Sequence, residues 1–563
     1  MVEKALEILL FTLGGLYHGL SQDWNALELA ILAVFALVVR RGRAPSPRWL
    51  RIETWLAGFA RRRGAVCWAA GVAAVAVRAA LIPVFPPPAP VVTDEFSHLL
   101  LADTLLHGRV ANPSPAEWEH FESLHILVRP VYVSNYFPGQ GAILAAARWA
   151  TGSPWVGVLL LSGAFAVALC WSLQGWMPAR WALAGTVIAI LRFSIGSYWV
   201  NAFHGGFLAA FGGALAAGAF ARLRRRPGAR MSFVLGVGLA VLAYSRPYEG
   251  LFFAAPFVVI LAFRPGRLTA LGPAAVLAVL ALVPLLLYFR AITGSPFSTA
   301  YNLSRQQYGW PMTFAWAKPP EIRHTNPELK FYYEYEIDER MKVSSPLLFI
   351  QYLTFRLQEY WRFFLGPLLT ACLAWSGWVF RSRRYLALLA GAGGAFVAVM
   401  MEGAASPHYL SPATTALVAI VTLAMWRMRE RWRHGPALSR IVLAGMVVVL
   451  AGRIALQAGG LPYTQKVNFQ SWCCKAAGRP DKAEFAEAIG KEPGMHLVLV
   501  RAKTDPYNFF QWIYNEADLD RARIVWARDL GDERNRALLE YYKDRTIWLV
   551  DPNPSRAVLK RLN

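Results

Sequence analysis

A mainly α, polytopic transmembrane helix bundle with a small C-terminal α/β domain is the fold class this sequence predicts, and three observations carry the prediction. Of its 563 residues, 56% are hydrophobic and only 17% charged, below the quarter usual for a soluble domain. The apolar residues gather in runs, many of them near the ~20 residues that a bilayer span needs. From Gly459 the composition changes to interspersed charges of both signs. There the strand-like runs His496–Arg501, Arg523–Ala527 and Thr546–Val550 alternate with the helical stretches Asn508–Glu516 and Glu533–Tyr542.

Taken in order, the start Met1–Tyr17 lacks a small-x-small cleavage pattern and reads as a retained anchor or a short interfacial helix, with Leu6–Tyr17 too short to span. About twelve spans are expected. They are Leu27–Val39, Ala65–Phe85, Trp155–Trp176, Trp181–Val200, Phe207–Leu223, Phe233–Tyr244, Leu251–Phe263, Leu268–Phe289, Phe363–Phe380, Leu386–Met401, Leu410–Trp426 and Ile441–Leu456. The net charge of +23 sits in Arg clusters between these runs: Arg40, Arg41, Arg43, Arg48, Arg51 and Arg61–Arg63, then Arg222–Arg226 with Arg230, Arg381–Arg384, and Arg427–Arg433. Such clusters mark cytoplasmic loops, so the basicity reports orientation and excludes a nucleic-acid partner.

Alternating the spans against the clusters divides the chain into three parts. Residues 1–64 hold N-terminal hydrophobic segments and a basic cytoplasmic loop, 65–457 a transmembrane domain with external loops 86–137 and 291–345, and 458–563 an extracytoplasmic α/β domain. Both long loops and the C-terminal segment then share the outer face. Alanine and arginine usage points to the multi-pass inventory of a bacterial cytoplasmic membrane.

The acidic pair Asp94-Glu95 follows the run Ala65–Phe85, whose one charge is Arg78. Carboxylates beside a membrane exit are expensive unless they line a wet cavity or do chemistry. Asp94 therefore reads in two ways. It is a general base for an acceptor hydroxyl, or Thr93 or Asp94 caps an amphipathic helix with Glu95 in its first turn. Farther on, Glu117, Glu119, His120, Glu122 and His125 could hold a divalent ion, but without a diagnostic ligand spacing they read first as a solvated helix face.

Cys67, Cys170 and Cys372 lie in apolar runs, and the adjacent Cys473-Cys474 suits neither a zinc site nor an ordinary bridge. Arg192 falls inside a span, where it either pairs with a carboxylate or lipid phosphate or snorkels. His204 and His408 stand at outer span ends, where a histidine serves a metal, an acceptor or the interface. Gly206, Ala210, Ala214 and Gly218 recur every four residues, a stripe that lets helices approach closely. No Gly-rich phosphate loop follows the C-terminal strands, so no nucleotide site is expected there.

Several short motifs together resemble one family. They are the acidic pair with Ala102, Leu105 and Gly108 after it, the stretch Tyr136, Pro138, Leu144 and Ala146, the turn Ser245-Arg246-Pro247-Tyr248-Glu249-Gly250, and Thr293-Gly294-Ser295-Pro296-Phe297. Over roughly Ala65–Leu456 the chain resembles the GT-C superfamily of membrane glycosyltransferases, in the branch of protein O-mannosyltransferases and aminoarabinose transferases. The block Trp155–Pro256 is similar to the RgtA/B/C/D-like relatives.

The resemblance implies a GT-C-like membrane domain and a transferase moving a hexosyl or pentosyl group from a polyprenyl-phosphate donor to a glycan, lipid or protein acceptor at the outer face. Asp94 matches the family's loop aspartate, the base, and Glu95 its neighbour near a metal or acceptor. A divalent metal ion stays open as a cofactor. Arg246 and Arg129, on external turns, are the candidate partners of the donor phosphate, because a guanidinium can bind it with two parallel hydrogen bonds. Interfacial anchoring is the other reading of both. Glu249 would brace Arg246, and Arg192, His204 and His408 are supporting candidates. A lipid or solute transporter or flippase is the competing class, but no duplicated halves are visible.

Overall fold

A computed structural model describes residues 25–39, 47–308, 326–341, 346–402, 406–460, 471–474, 481–501, 510–552 and 557–562. The stretch Leu6–Tyr17, the residues Arg40, Arg41 and Arg43, and residues 309–325 of the second long loop lie outside these. Among the described residues seven helices are long and apolar enough to cross a membrane, and Asn25–Leu37, Ala229–Ser245 and Pro247–Ala262 are shorter apolar helices.

Helix Gly206–Leu223 runs through the middle of the bundle, nearly all of it buried. Its small residues make that possible. A Cβ added at Gly213 would lie 2.0 Å from the Pro412 carbonyl oxygen, so only glycine admits the neighbouring segment. Helix Arg267–Thr293 lies at the periphery with Leu268, Val276, Leu280 and Leu287 exposed, as expected of a lipid-facing surface.

Two expected spans are broken, and a third begins in a tighter turn. Trp181–Val200 is a helix only over Ala179–Ala189, followed by a π-turn at Ile190–Ser194 and irregular chain up to Gly205. The cause is Arg192. Fully buried, it donates Nε to the Phe363 carbonyl at 2.8 Å, faces Glu28 Oε1 at 3.5 Å and lies 4.3 Å from the Trp472 ring. A buried cation must find acceptors, and a locally widened turn lets it reach them.

Phe363–Phe380 is replaced by Pro346–Phe364, Gly366–Leu373 and Gly377–Arg381, with Gly366 at φ +64° turning the chain beside Glu28. Leu410–Trp426 begins as a 3-10 segment, Pro407–Ala413, containing Pro412, and continues as helix Thr414–Arg431. Irregular backbone at membrane depth needs protein or a wet cavity around it, and here Arg192, Gly366 and Pro407–Ala413 lie largely buried.

The segment after Ala80 forms the helix Thr93–Leu106 and a small three-stranded antiparallel sheet from Asn112–Pro113, Ile126–Leu127 and Val131–Ser134. The charged run Glu117–His125 is not a solvated helix face. It holds a short 3-10 turn, Trp118–Phe121, with His120 and Glu122 buried. His120 Nδ1 lies 2.7 Å from the Arg528 carbonyl, Glu122 accepts from Asn326 Nδ2 at 3.0 Å, and Glu119 pairs with Arg534.

In the C-terminal segment, strand His496–Arg501 lies between the parallel strands Ile524–Asp529 and Thr546–Asp551, and Val558–Arg561 closes one edge antiparallel. The expected helix Asn508–Glu516 is described only as the 3-10 turn Phe510–Ile513, with Asn508 outside the described residues. Leu497, Leu499, Tyr514, Val525 and Leu538 share one apolar core with Leu100, Phe121, Ile126 and Tyr132 of the acidic loop. Cys67, Cys170 and Cys372 are buried thiols, while Cys473 and Cys474 are joined to each other in a bridge between adjacent residues.

The basic clusters meet at one end of the bundle. Arg222 and Arg225 cap the carbonyls of Trp171 and Gly175 at 2.8 and 2.7 Å, Arg384 reaches the Trp176 carbonyl at 2.9 Å, and Arg264 donates to Arg224. The acid helix, Gly205, Arg246 and Pro407 come from the opposite helix ends. Reporter fusions after Gly294 and after Gly459 should therefore both give a non-cytoplasmic signal. A cytoplasmic signal at either point would break the assignment of faces.

Candidate active site

The acid helix starts at Thr93 because Glu95 reaches back to its free amides: Oε2 accepts from Val91 N at 2.8 Å and Val92 N at 3.0 Å. Its other oxygen accepts from Phe203 N at 3.0 Å. The residue preceding the helix is Val92, with no side-chain cap, so the capping role belongs to Glu95 and not to Thr93 or Asp94.

Asp94 is thereby left to face the end of the bundle, half-buried. Its Oδ1 accepts from the Tyr136 hydroxyl at 2.5 Å and its Oδ2 lies 4.0 Å from His125 Nε2. Aromatic rings enclose it. His98, one turn farther along the helix, stacks on Tyr136 at 4.8 Å, and His125 tilts against the same ring at 5.4 Å. Burial alone would raise the Asp94 carboxyl, but His125, His204 and the Tyr136 bond outweigh it and bring it to about 2. Burial pushes the His98 imidazole down to about 3 against the pull of Asp94, so this ring is neutral at pH 7. His98 Nδ1 is buried with no hydrogen-bond partner among the described residues.

A second shell of rings comes from the broken spans. Tyr198 takes the His408 amide at 2.9 Å, its hydroxyl lies 3.1 Å from His408 Nδ1, and the His204 and His408 rings are 5.1 Å apart. Arg246, in the turn between Ala229–Ser245 and Pro247–Ala262, lies 4.1 Å over the Tyr409 ring, with Nη1 3.1 Å from Glu249 Oε1. Burial opposes its charge, but Glu249 and Tyr409 hold it firmly protonated. Glu402 is raised above the usual carboxylate range by burial and by Glu249.

Asp94, His204, Arg246, Glu249 and His408 are thus brought to one place, and Arg246 and Asp94 both act electrostatically on His98. Arg129 is elsewhere, exposed and 3.4 Å from the Trp118 ring. Arg192 is held in its structural cluster with Glu28 and Trp472. Sequence reasoning missed Tyr198, Glu402 and Tyr514 as neighbours of the site. The i, i+4 spacing of Asp94 and His98 was a usable signal for His98. Among the described residues no three His, Cys, Asp or Glu side chains converge as metal ligands.

No protein-family profile and no curated sequence matches the chain. Among solved structures it is similar to the apo oligosaccharyltransferase of Archaeoglobus fulgidus, at 12% identity and TM-score 0.46 over 87% of this chain and 69% of that one. It is also similar to ArnT from Cupriavidus metallidurans. The apo form gives 14% identity and TM-score 0.48 over 86% of this chain and 93% of that one. The form bound to undecaprenyl phosphate gives 13% and 0.47 over 91% and 94%.

The two neighbouring carboxylates differ in what depends on them. Glu95→Gln leaves backbone amides facing an amide group and should lower stability by about 1–3 kcal/mol. Asp94→Asn should lower the melting temperature less than Glu95→Gln does, because this side chain is only half-buried and Asn still accepts from Tyr136. Thermal unfolding of the purified variants checks this, and equal losses would refute the division. The ionised Asp94 favours the folded state, with its folded-state pKa near 2 below the ordinary 3.8. Its contribution is complete above about pH 4 and fades as the pH falls toward 2.

Proposed function

We propose that the chain is a membrane glycosyltransferase that moves a sugar from a polyprenyl-phosphate donor to an acceptor hydroxyl at the outer face of the membrane, with Asp94 as general base. The convergence of an ionised carboxylate and a braced arginine at one end of the bundle, around shared rings, carries this reading. The acceptor hydroxyl would give its proton to Asp94 while its oxygen attacks the anomeric carbon. The bond from that carbon to the phosphate oxygen breaks on the opposite face, inverting the centre, and the electron pair leaves with the polyprenyl phosphate.

A carboxylate of such low pKa is a weak base, which suits late proton transfer. By then the oxygen has already lost electron density to an oxocarbenium-like carbon. Arg246 meets the growing phosphate charge with two parallel N–H groups, oriented by Glu249. Glu95 sets the start of the helix that presents Asp94. Transporters gather their binding groups near the midplane at a repeat interface, whereas these side chains come from helix ends and an external loop.

Asp94→Asn should reduce transfer by ~10² to 10⁴ while protein level and insertion stay near wild type. Loss of lipid-linked donor by a purified preparation is the readout, and wild-type turnover in the amide variant would remove Asp94 from the chemistry. Arg246→Lys keeps the charge but loses the fork and its ring contact, so donor use should weaken, and Arg246→Ala should weaken it further. Equal donor dependence for wild type and the Lys variant would reduce Arg246 to an anchor of its turn.

A further inference from the structure

His125 is the one described non-glycine residue with positive φ, at 60°, a left-handed conformation uncommon for side-chain-bearing residues. A residue stays there only when the peptide planes on both sides are held. On the C-terminal side its carbonyl accepts from Ser97 Oγ at 2.7 Å and from Asn135 N at 3.0 Å. On the N-terminal side the plane carries the Leu124 carbonyl, which accepts from the Tyr514 hydroxyl. With both planes held, the ring stands 4.0 Å from Asp94.

Tyr514 arrives from far along the chain and is itself firmly placed. It is buried, its ring stacks on Phe96 at 4.7 Å, and its carbonyl takes Lys482 Nζ at 2.7 Å. The next residue, Asn515, makes two bonds to the backbone of Trp526, at 2.7 and 2.8 Å, which register it on the C-terminal sheet. The strain at His125 is therefore maintained from the α/β segment.

We infer that Tyr514 is a positioning residue: by holding the Leu124 carbonyl it fixes the peptide plane that turns the His125 ring onto Asp94, and so makes the C-terminal segment part of the active site. This rests on the reading of Asp94 as the base. A histidine held beside that carboxylate fixes its orientation and charge, so releasing the plane should slow the chemical step without changing donor affinity.

The test is a double-mutant cycle on the full-length protein in lipid nanodiscs. The probe is the total lipid and envelope extract of cells lacking the gene, which holds both the unconsumed polyprenyl-phosphate donor and the unmodified hydroxyl acceptor. Tyr514→Phe, which keeps the stacking on Phe96, should lower kcat by about 3- to 10-fold, the loss expected for one hydrogen bond, with KM for donor unchanged. His125→Ala should lower kcat as well. In the His125→Ala background Tyr514→Phe should cost less than about 2-fold more, because residues acting as one unit are not additive.

Multiplicative losses would make Tyr514 an ordinary packing residue and overturn the inference, as would wild-type kcat in Tyr514→Phe. Should Tyr514→Phe fail to accumulate, Ser97→Ala, which removes one of the two bonds on the other plane of His125, must show the same non-additivity with His125→Ala, or the inference falls. Wild-type kcat in Tyr514→Phe beside an inactive Asp94→Asn would discard the inference alone. An extract left unconsumed by the wild type would discard the glycosyl-transfer reading with it.

Discussion

Glu95 is fully buried and divides its two oxygens between the amides of Val91 and Val92, which begin the acid helix, and the amide of Phe203, which closes the broken span beside His204. A charge taken out of water in this way must be bonded on all sides, and here the donors are backbone groups whose positions are set by two different parts of the chain. The carboxylate therefore fixes the acid helix to the bundle in one register. Asp94, one residue earlier, and His204, one residue later than Phe203, inherit their relation from it.

The irregular stretches in three expected spans have local causes of their own. Each places a cation, a proline or a left-handed glycine where a regular helix would have closed on itself: Arg192, Pro412 and Gly366. The freed backbone is buried against neighbouring helices, and the chain beyond the breaks supplies the ring-bearing segments with Tyr198, His204, His408 and Tyr409. The site is thus built from the irregular ends of helices, and the regular helices behind hold those ends in place.

Most of the architecture was legible because span length, Arg clusters and the change of composition at Gly459 are local signals. Asp94 and Arg246 stood out as candidates for a related reason: both are charged residues beside apolar runs, where a charge needs a purpose. The turn Ser245–Gly250 even showed Glu249 in reach of Arg246, and the two are paired at 3.1 Å. What could not be read were relations across hundreds of residues. Nothing near Arg192 announces Glu28, and nothing near Leu124 announces Tyr514. The run Glu117–His125 was misread because its charges look solvated until the C-terminal sheet is placed on top of them. Arg129, equally exposed in sequence terms to Arg246, has a tryptophan rather than a carboxylate for company.

Asp103 sits near the far end of the acid helix and is also buried. One oxygen accepts from Arg148 of helix Pro138–Thr151 at 3.0 Å and the other from the amide of Ala517 at 2.7 Å. The first bond joins residues 45 apart in the chain; the second spans 414 and forms only once the α/β segment has packed against the helix. Until then the helix that bears Asp94 has one end incompletely fastened. The two ends of one short helix are thus secured by segments far apart in the chain, so the alignment of its first turn cannot be complete before the sheet has packed.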